Sequence, residues 1–379
     1  MIIHYRDMAG DAVRVDAFRR GIEAAVRPGD VAIDLGCGLG TYALFACRAG
    51  ARKVYAIERE PVILAARQIA KKNGYADRIV FVRADARTVE LPEKADVLVT
   101  EDFSATFIEA ETADLIAGAR RRLLKPSGTM VPASVEVFGA PAHCPGLYAR
   151  MDRWAASEEV AYGIDFSPTR DMAMNCIHQA NFRLSHLLGP PKRLHRVDLG
   201  APTPFPFDTV LRVRARKNGT VHGLAVWFEA QLAPRVRLSN APGQPPTLWG
   251  QGLLPLARPI RVRKHAMITV DVAVRFSRDS DRAWWQWEVS AGGERADGTT
   301  FRSFPTSQGD LEAGSRRHRP GLSPEGEITV CVLRMLKTGC TILEVARRLR
   351  RRFPRRFGAL RDALNRAAAD ARRFGRPAL

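Results

Sequence analysis

Between Val31 and about Val131 two hydrophobic periods alternate along the chain. Short apolar runs, VAIDLG (31–36), KVYAIERE (53–60), RIVFVRAD (78–85) and DVLVTED (96–102), read as strands. Between them TYALFACRAG (41–50), PVILAARQIAKKNG (61–74) and TADLIAGARRRLLKPSG (112–128) carry apolar residues at helical spacing. Gly50 and Gly74 stand where helices stop, Pro61 where one starts, and Pro126 and Gly128 are expected to close the last. Strand and helix in alternation predict a parallel, doubly wound sheet. Residues 1–25 read as one amphipathic helix ahead of it.

After SGTMVP the period changes to two. ASVEVFGAP, HRVDLGA, VHGLAVWFEAQL, ITVDVAVRFS and AWWQWEVSAGG are short alternating runs over 133–305, and KNGT (217–220) reads as a hairpin turn. This texture predicts a β-barrel-like domain. Residues 146–190 read as a helical arm within it. Residues 306–324 are rich in Gly, Ser, Arg and Pro and read as a linker. Residues 325–379 read as a small helical module.

Composition narrows the class. The chain has 379 residues, 46% of them apolar, enough for two cores and a small third unit. No stretch is apolar enough to span a membrane, and the first residues are charged where a signal peptide needs an apolar core, so a cytoplasmic protein without a membrane partner is expected. The six cysteines form no CxxC pair and no His cluster accompanies them, so no metal site or disulfide framework is expected. The net charge is +19, which suits an acidic partner such as nucleic acid, an acidic peptide or an anionic surface. From residue 341 onward there are twelve Arg against three Asp or Glu, so nearly half of the excess lies in the last 39 residues.

The chemistry gathers where strands end. The first strand runs into Asp34-x-Gly36-x-Gly38-x-Gly40. A dinucleotide turn needs its third glycine one residue later, and a phosphate loop needs a Lys followed by Ser or Thr. The acid ahead of the glycines repels phosphate and suits a cationic or polar ligand. Glu58 ends the second strand, where a carboxylate can accept both hydroxyls of a ribose. Asp85 ends the third and can approach an adenine amino group. Three acids at the carboxyl ends of successive strands line one crevice. Together with the glycines they resemble the class I S-adenosylmethionine (SAM) methyltransferase pattern.

The resemblance extends further. MAGDAVR (8–14) resembles the M-x-x-D-x-x-R segment that precedes this motif in protein arginine methyltransferases, which implies that Arg14 grips the carboxylate of SAM. VELPEKADVLVTEDFSATFIEAETADL (89–115) resembles that family's strand and double-glutamate loop. The resemblance implies that Glu101 is the first glutamate clamping a substrate guanidinium and Glu109 the second, with Glu111 as the alternative. YGIDFS (162–167) is similar to the family's dimerisation arm, implying a homodimer. In LSNAPGQPPTLWGQGLLPL (238–256), Thr247 and Trp249 match the Thr-His-Trp substrate loop and Leu248 stands at its His. Only seven residues precede Met8, so the family's N-terminal closing helix is expected to be mostly missing. The implied activity is N-methylation of an arginine in a peptide or protein. A small-molecule methyltransferase and a non-catalytic, SAM-sensing nucleic-acid-binding protein stand as alternatives.

In GEITVCVLRMLKTGCTILEVARRLRRRF (326–353) an apolar helix ends at Lys337-Thr338-Gly339, and Thr341 with Glu344 has capping-box spacing. Ile342, Val345 and Leu349 then face inward. The segment is similar to small PqqD-like winged-helix domains, which implies a leader-peptide site. The basic charge leaves nucleic acid and a structural appendage open.

Overall fold

The computed structural model describes residues 2–107, 110–152, 168–200, 207–276, 283–304 and 319–375, with Phe166 and Gly309. The chain divides into two compact units, Met1–Ser307 and Gln308–Leu379.

The first unit opens with two helices, α1 (Ile2–Gly10) and α2 (Ala12–Ala25), not the single helix expected. Asp11 separates them. Its non-helical backbone (φ −72°, ψ 84°) breaks the helix, and its carboxylate accepts the Arg14 amide at 3.1 Å to cap α2. The parallel sheet follows: β1 (Val31–Leu35), β2 (Lys53–Glu58), β3 (Ile79–Arg83), β4 (Ala95–Thr100) and β5 (Leu124–Val131), ordered β3-β2-β1-β4-β5. Every residue of β1 is buried, as a strand covered on both faces requires. Helices α3 (Thr41–Arg48), α4 (Ile63–Lys72) and α5 (Ala110–Leu123) connect the strands. The strand order reverses between β1 and β4, which opens a crevice beyond their carboxyl ends. Pro126 and Gly128 do not cap a helix. The helix ends at Leu123, and LKPSGTMV runs as β5 with a register shift against β4.

Two antiparallel sheets complete this unit. One carries β6 (Ser134–Ala142), β7 (His178–Ala180), β8 (Lys192–Asp198), β10 (Gly219–Ala233), β11 (Val236–Ser239) and β12 (Gln251–Val262). The other orders β15 (Glu294–Thr299), β14 (Ala283–Ala291), β13 (Met267–Phe276) and β9 (Phe207–Arg214). Contacts between β8 and β9, and between β12 and β15, bring the edges together into a barrel-like body. KNGT is not a hairpin. It joins β9 to β10, which lie in different sheets, and the Asn218 side chain instead accepts the Lys264 amide at 2.8 Å. Among the described residues of the expected arm, α6 (Pro145–Asp152) and α7 (Pro168–Ala173) are helical and β7 follows them. YGIDFS apart from Phe166, and most of the expected linker, lie outside the described residues.

One core runs through both halves, from Ile33 and Leu98 in the parallel sheet to Leu224, Phe228 and Trp287 in the antiparallel sheets. Helix α2 bridges them, packing on α3 and on β10. Gly21 permits this: a Cβ there would stand 2.7 Å from Leu232 Cβ.

The second unit holds α8 (Pro324–Lys337), α9 (Ile342–Arg352) and α10 (Leu360–Phe374) around Ile328, Val332, Val345, Leu349, Phe357 and Ala363. Gly339 is left-handed (φ +78°) past α8. Thr341 and Glu344 form the expected capping box, and Val345 and Leu349 are fully buried. Residues 319–375 contain no strand, so the wing of a winged helix is not among the described residues.

Candidate active site

The glycine turn is fixed by backbone bonds. The amides of Gly36 and Cys37 both donate to the Ile57 carbonyl, at 2.9 and 3.0 Å. Gly36, Gly38 and Gly40 have φ of +75°, +50° and +77°, a region where an L side chain is strained. Asp34 proves to be a support for this turn. Its buried carboxylate accepts the Ala43 amide at 2.8 Å in the first turn of α3, and it does not line the cavity. Burial pushes its carboxyl up to about 7, and the charges of Glu101 and Glu58 add to the effect. Gly40 also lies behind the cavity wall, against Ala66.

The cavity beyond the strand ends has a volume of about 410 Å³. Gly36, Gly38, Glu58, Asp85, Arg14 and Glu101 all line it, so the structure brings six of the expected residues together. Glu58 accepts the Gly38 amide at 3.1 Å and the Glu60 amide at 2.9 Å. Asp85 accepts the Arg87 amide at 2.8 Å. Tyr5 and Met8 of the nine-residue α1 also line the cavity. A Cβ on Gly38 would stand 3.0 Å from the Tyr5 ring.

At the other end of the cavity Arg14 and Glu101 meet. Arg14 is 4% exposed. Its Nη1 donates to Glu101 Oε1 at 2.5 Å, its Nη2 donates to the Met8 carbonyl, and its Nε is buried without a hydrogen-bond acceptor. The Tyr42 hydroxyl donates to Glu101 Oε2 at 2.8 Å. Desolvation raises the Glu101 carboxyl above its ordinary value, while Arg14 and Tyr42 pull against that rise. Burial and the neighbouring Glu101 push the Tyr42 phenol well up, so it remains a donor.

The 247–249 loop packs beside Arg14. Trp249 stacks on Phe103 (5.3 Å, 21°), donates from Nε1 to the Phe103 carbonyl at 3.1 Å, and lies 5.6 Å from the Arg14 guanidinium. Leu248 is 46% exposed, and its amide donates to Asp11 at 2.9 Å. Glu109 lies outside the described residues. Glu111 belongs to the first turn of α5, with its side chain undescribed.

A family described as a methyltransferase domain matches residues 32–128. A second, described as the arginine methyltransferase oligomerization subdomain, matches residues 140–285. The chain is a class I methyltransferase of arginine-methyltransferase-like architecture. Protein arginine N-methyltransferase 6 of Danio rerio is 28% identical over 291 residues, covering 73% of this chain and 83% of that protein. The probable histone-arginine methyltransferase 1.4 of Arabidopsis thaliana is 30% identical over 286 residues, 71% of this chain and 53% of that protein. Among solved structures, the Trypanosoma brucei PRMT1 enzyme–prozyme heterotetrameric complex with AdoHcy superposes with a TM-score of 0.70 at 24% identity, covering 78% of this chain and 97% of that one. Protein arginine methyltransferase 10 of Arabidopsis thaliana gives 0.69 at 22%, covering 79% and 98%. Both family matches fall within this methyltransferase's first unit.

Two contributors escape sequence reasoning. Asp11 stands three residues before Arg14, the spacing of an N-cap, which was a usable signal. Tyr42 sits in an apolar helix pattern, and nothing local marks its hydroxyl as aimed at a residue 59 positions away.

Proposed function

We propose that this chain transfers the methyl group of SAM to a guanidinium nitrogen of arginine in a peptide or protein. The observation that carries the reading is the meeting of a buried arginine and a buried carboxylate in one cavity beside the glycine turn. The lining residues fit SAM. A buried guanidinium whose Nε makes no hydrogen bond, with only the Asp11 carboxylate 4.0 Å away, suits the SAM carboxylate. Glu58 and Asp85 offer acceptors for hydroxyl and amino groups. A cavity lined by five carboxylates, Glu58, Glu60, Asp85, Glu101 and Asp102, disfavours a phosphate ligand.

When bound, SAM supplies a methyl group on a positively charged sulfur. Arg14 holds the cofactor carboxylate, Glu58 the ribose and Asp85 the adenine end, while Gly36 and Gly38 let the backbone come close. Glu101, with Glu109 or alternatively Glu111, accepts hydrogen bonds from the substrate guanidinium. This draws positive charge toward the held nitrogens and leaves the remaining one to attack. Positioning of this kind supplies roughly 7–11 kcal/mol of barrier lowering. Trp249 shapes the acceptor end through Phe103.

The oligomerization subdomain supports assembly of this chain as a homodimer. In the second unit the exposed arginines of α9, Arg347, Arg348, Arg350 and Arg351, support a site for an acidic leader peptide.

The test is a transfer assay with methyl-labelled SAM and an extract of the protein's own cell, followed by acid hydrolysis. Label in methylarginine is the expected result. Label confined to small molecules would replace this reading with a biosynthetic methyltransferase.

A further inference from the structure

Glu101 is held by two donors from two elements. Arg14 reaches Oε1 from α2, and Tyr42 reaches Oε2 at 2.8 Å from α3. These two donors do not have the same freedom. In the reading above, on which this inference rests, Arg14 also serves the cofactor, so its hold on Glu101 is shared. Tyr42 has no second assignment. Its ring is only 9% exposed and is stacked on Phe18 at 4.7 Å and 16°, with Phe45 at 6.4 Å. A phenol clamped in this way has lost its rotamer freedom before any ligand arrives, so its hydroxyl is pre-aimed.

We propose that Tyr42 is a positioning residue for the acceptor, fixing Glu101 Oε2 so that the carboxylate presents itself to the substrate guanidinium in one orientation. Tyr42 touches neither the cofactor's reacting atoms nor the transferred methyl in this role; it acts through Glu101. Its position in the first turn of α3, directly after the glycine turn, links the cofactor end of the cavity to the acceptor end through one hydrogen bond. The donor also matters for charge. Glu101 sits where burial resists its ionisation, and the hydroxyl favours the ionised form that a guanidinium requires.

Tyr42→Phe removes the hydroxyl and keeps the ring, so the stack on Phe18 survives. With a synthetic Gly-Arg-Gly repeat peptide and labelled SAM, we expect kcat/KM for the peptide to fall about tenfold or more. The SAM dissociation constant, measured by calorimetry, stays within about twofold, and the acid limb of kcat/KM moves to higher pH. A kcat/KM within about twofold of wild type, or a loss with an unmoved acid limb, overturns the proposal.

A second measurement does not depend on turnover. Urea unfolding of the wild type, Tyr42→Phe, Glu101→Ala and the double variant forms a cycle. If Tyr42 acts on Glu101, removing the hydroxyl has no further effect once Ala stands at 101. Additive losses overturn the proposal. This arm decides the role of Tyr42 even if the wild type methylates no arginine, an outcome that would sink the proposed function by itself.

Discussion

The two ends of the cavity are built in opposite ways. At the cofactor end the parts are neighbours in sequence or in adjacent parallel strands, and main-chain amides fix them: Gly36 and Cys37 donate to the Ile57 carbonyl, Gly38 to the Glu58 carboxylate and Ala43 to the Asp34 carboxylate. At the acceptor end the parts come from α2, α3, the end of β4 and the 247–249 loop, and side chains hold one another. A backbone-built site tolerates changes that keep φ and ψ. A side-chain network fails as a unit, because each member leaves a buried polar partner unsatisfied when it is lost.

The sharpest way to test that contrast is Glu101→Gln. We expect kcat at saturating SAM to fall about 10²–10³-fold, with SAM affinity changed only a few-fold. Retention of full kcat would mean that the acceptor end is not where the chemistry is organised. In the wild type, activity needs the ionised carboxylate. Because burial raises that group, the acid limb of the rate profile lies above the ordinary glutamate value of 4.5.

Arg14→Ala comes next. It leaves Glu101 buried without its cation, which costs about 3–5 kcal/mol in urea unfolding, and it weakens SAM binding at least about tenfold. An unchanged unfolding midpoint would show that the pair is not desolvated as described. Gly38→Ala probes the other end. It forces φ of +50° on an L residue and brings a Cβ to 3.0 Å from Tyr5, for a cost of about 1–2 kcal/mol. The loss should appear in SAM affinity more than in kcat.

Asp34 is tested through pH. Its folded-state carboxyl is raised to about 7 from 3.8, so between those values the folded state binds more protons than the unfolded. Its contribution to stability is therefore complete below about pH 4 and is lost as the pH rises through 7. Asp34→Asn, which keeps an acceptor for Ala43 and carries no charge, should gain on the wild type across that window. The gain is at most about 1.4 kcal/mol per pH unit, read by thermal unfolding at pH 4, 5.5 and 7.

The same contrast explains what the sequence made legible. The parallel sheet, the glycine turn, Glu58, Asp85 and the Thr341–Glu344 capping box follow from short-range rules of period, cap and turn. Arg14 and Glu101 were identified through motif resemblance, but not their pairing, which depends on how α2 crosses the sheet. KNGT misled because a turn-forming dipeptide says nothing about which sheet each flanking strand joins. Asp34 misled in another way: an acid at the mouth of a ligand turn and an acid capping the helix behind it look identical in one dimension. Tyr42 was invisible because its partner lies three strands further along the chain.

Asp11 has a consequence for redesign. One of its oxygens caps α2 at the Arg14 amide and the other takes the Leu248 amide, so a single side chain belongs to both the cofactor's cover and the acceptor's loop. Selection for a new substrate by varying residues 247–249 would therefore register as altered SAM affinity.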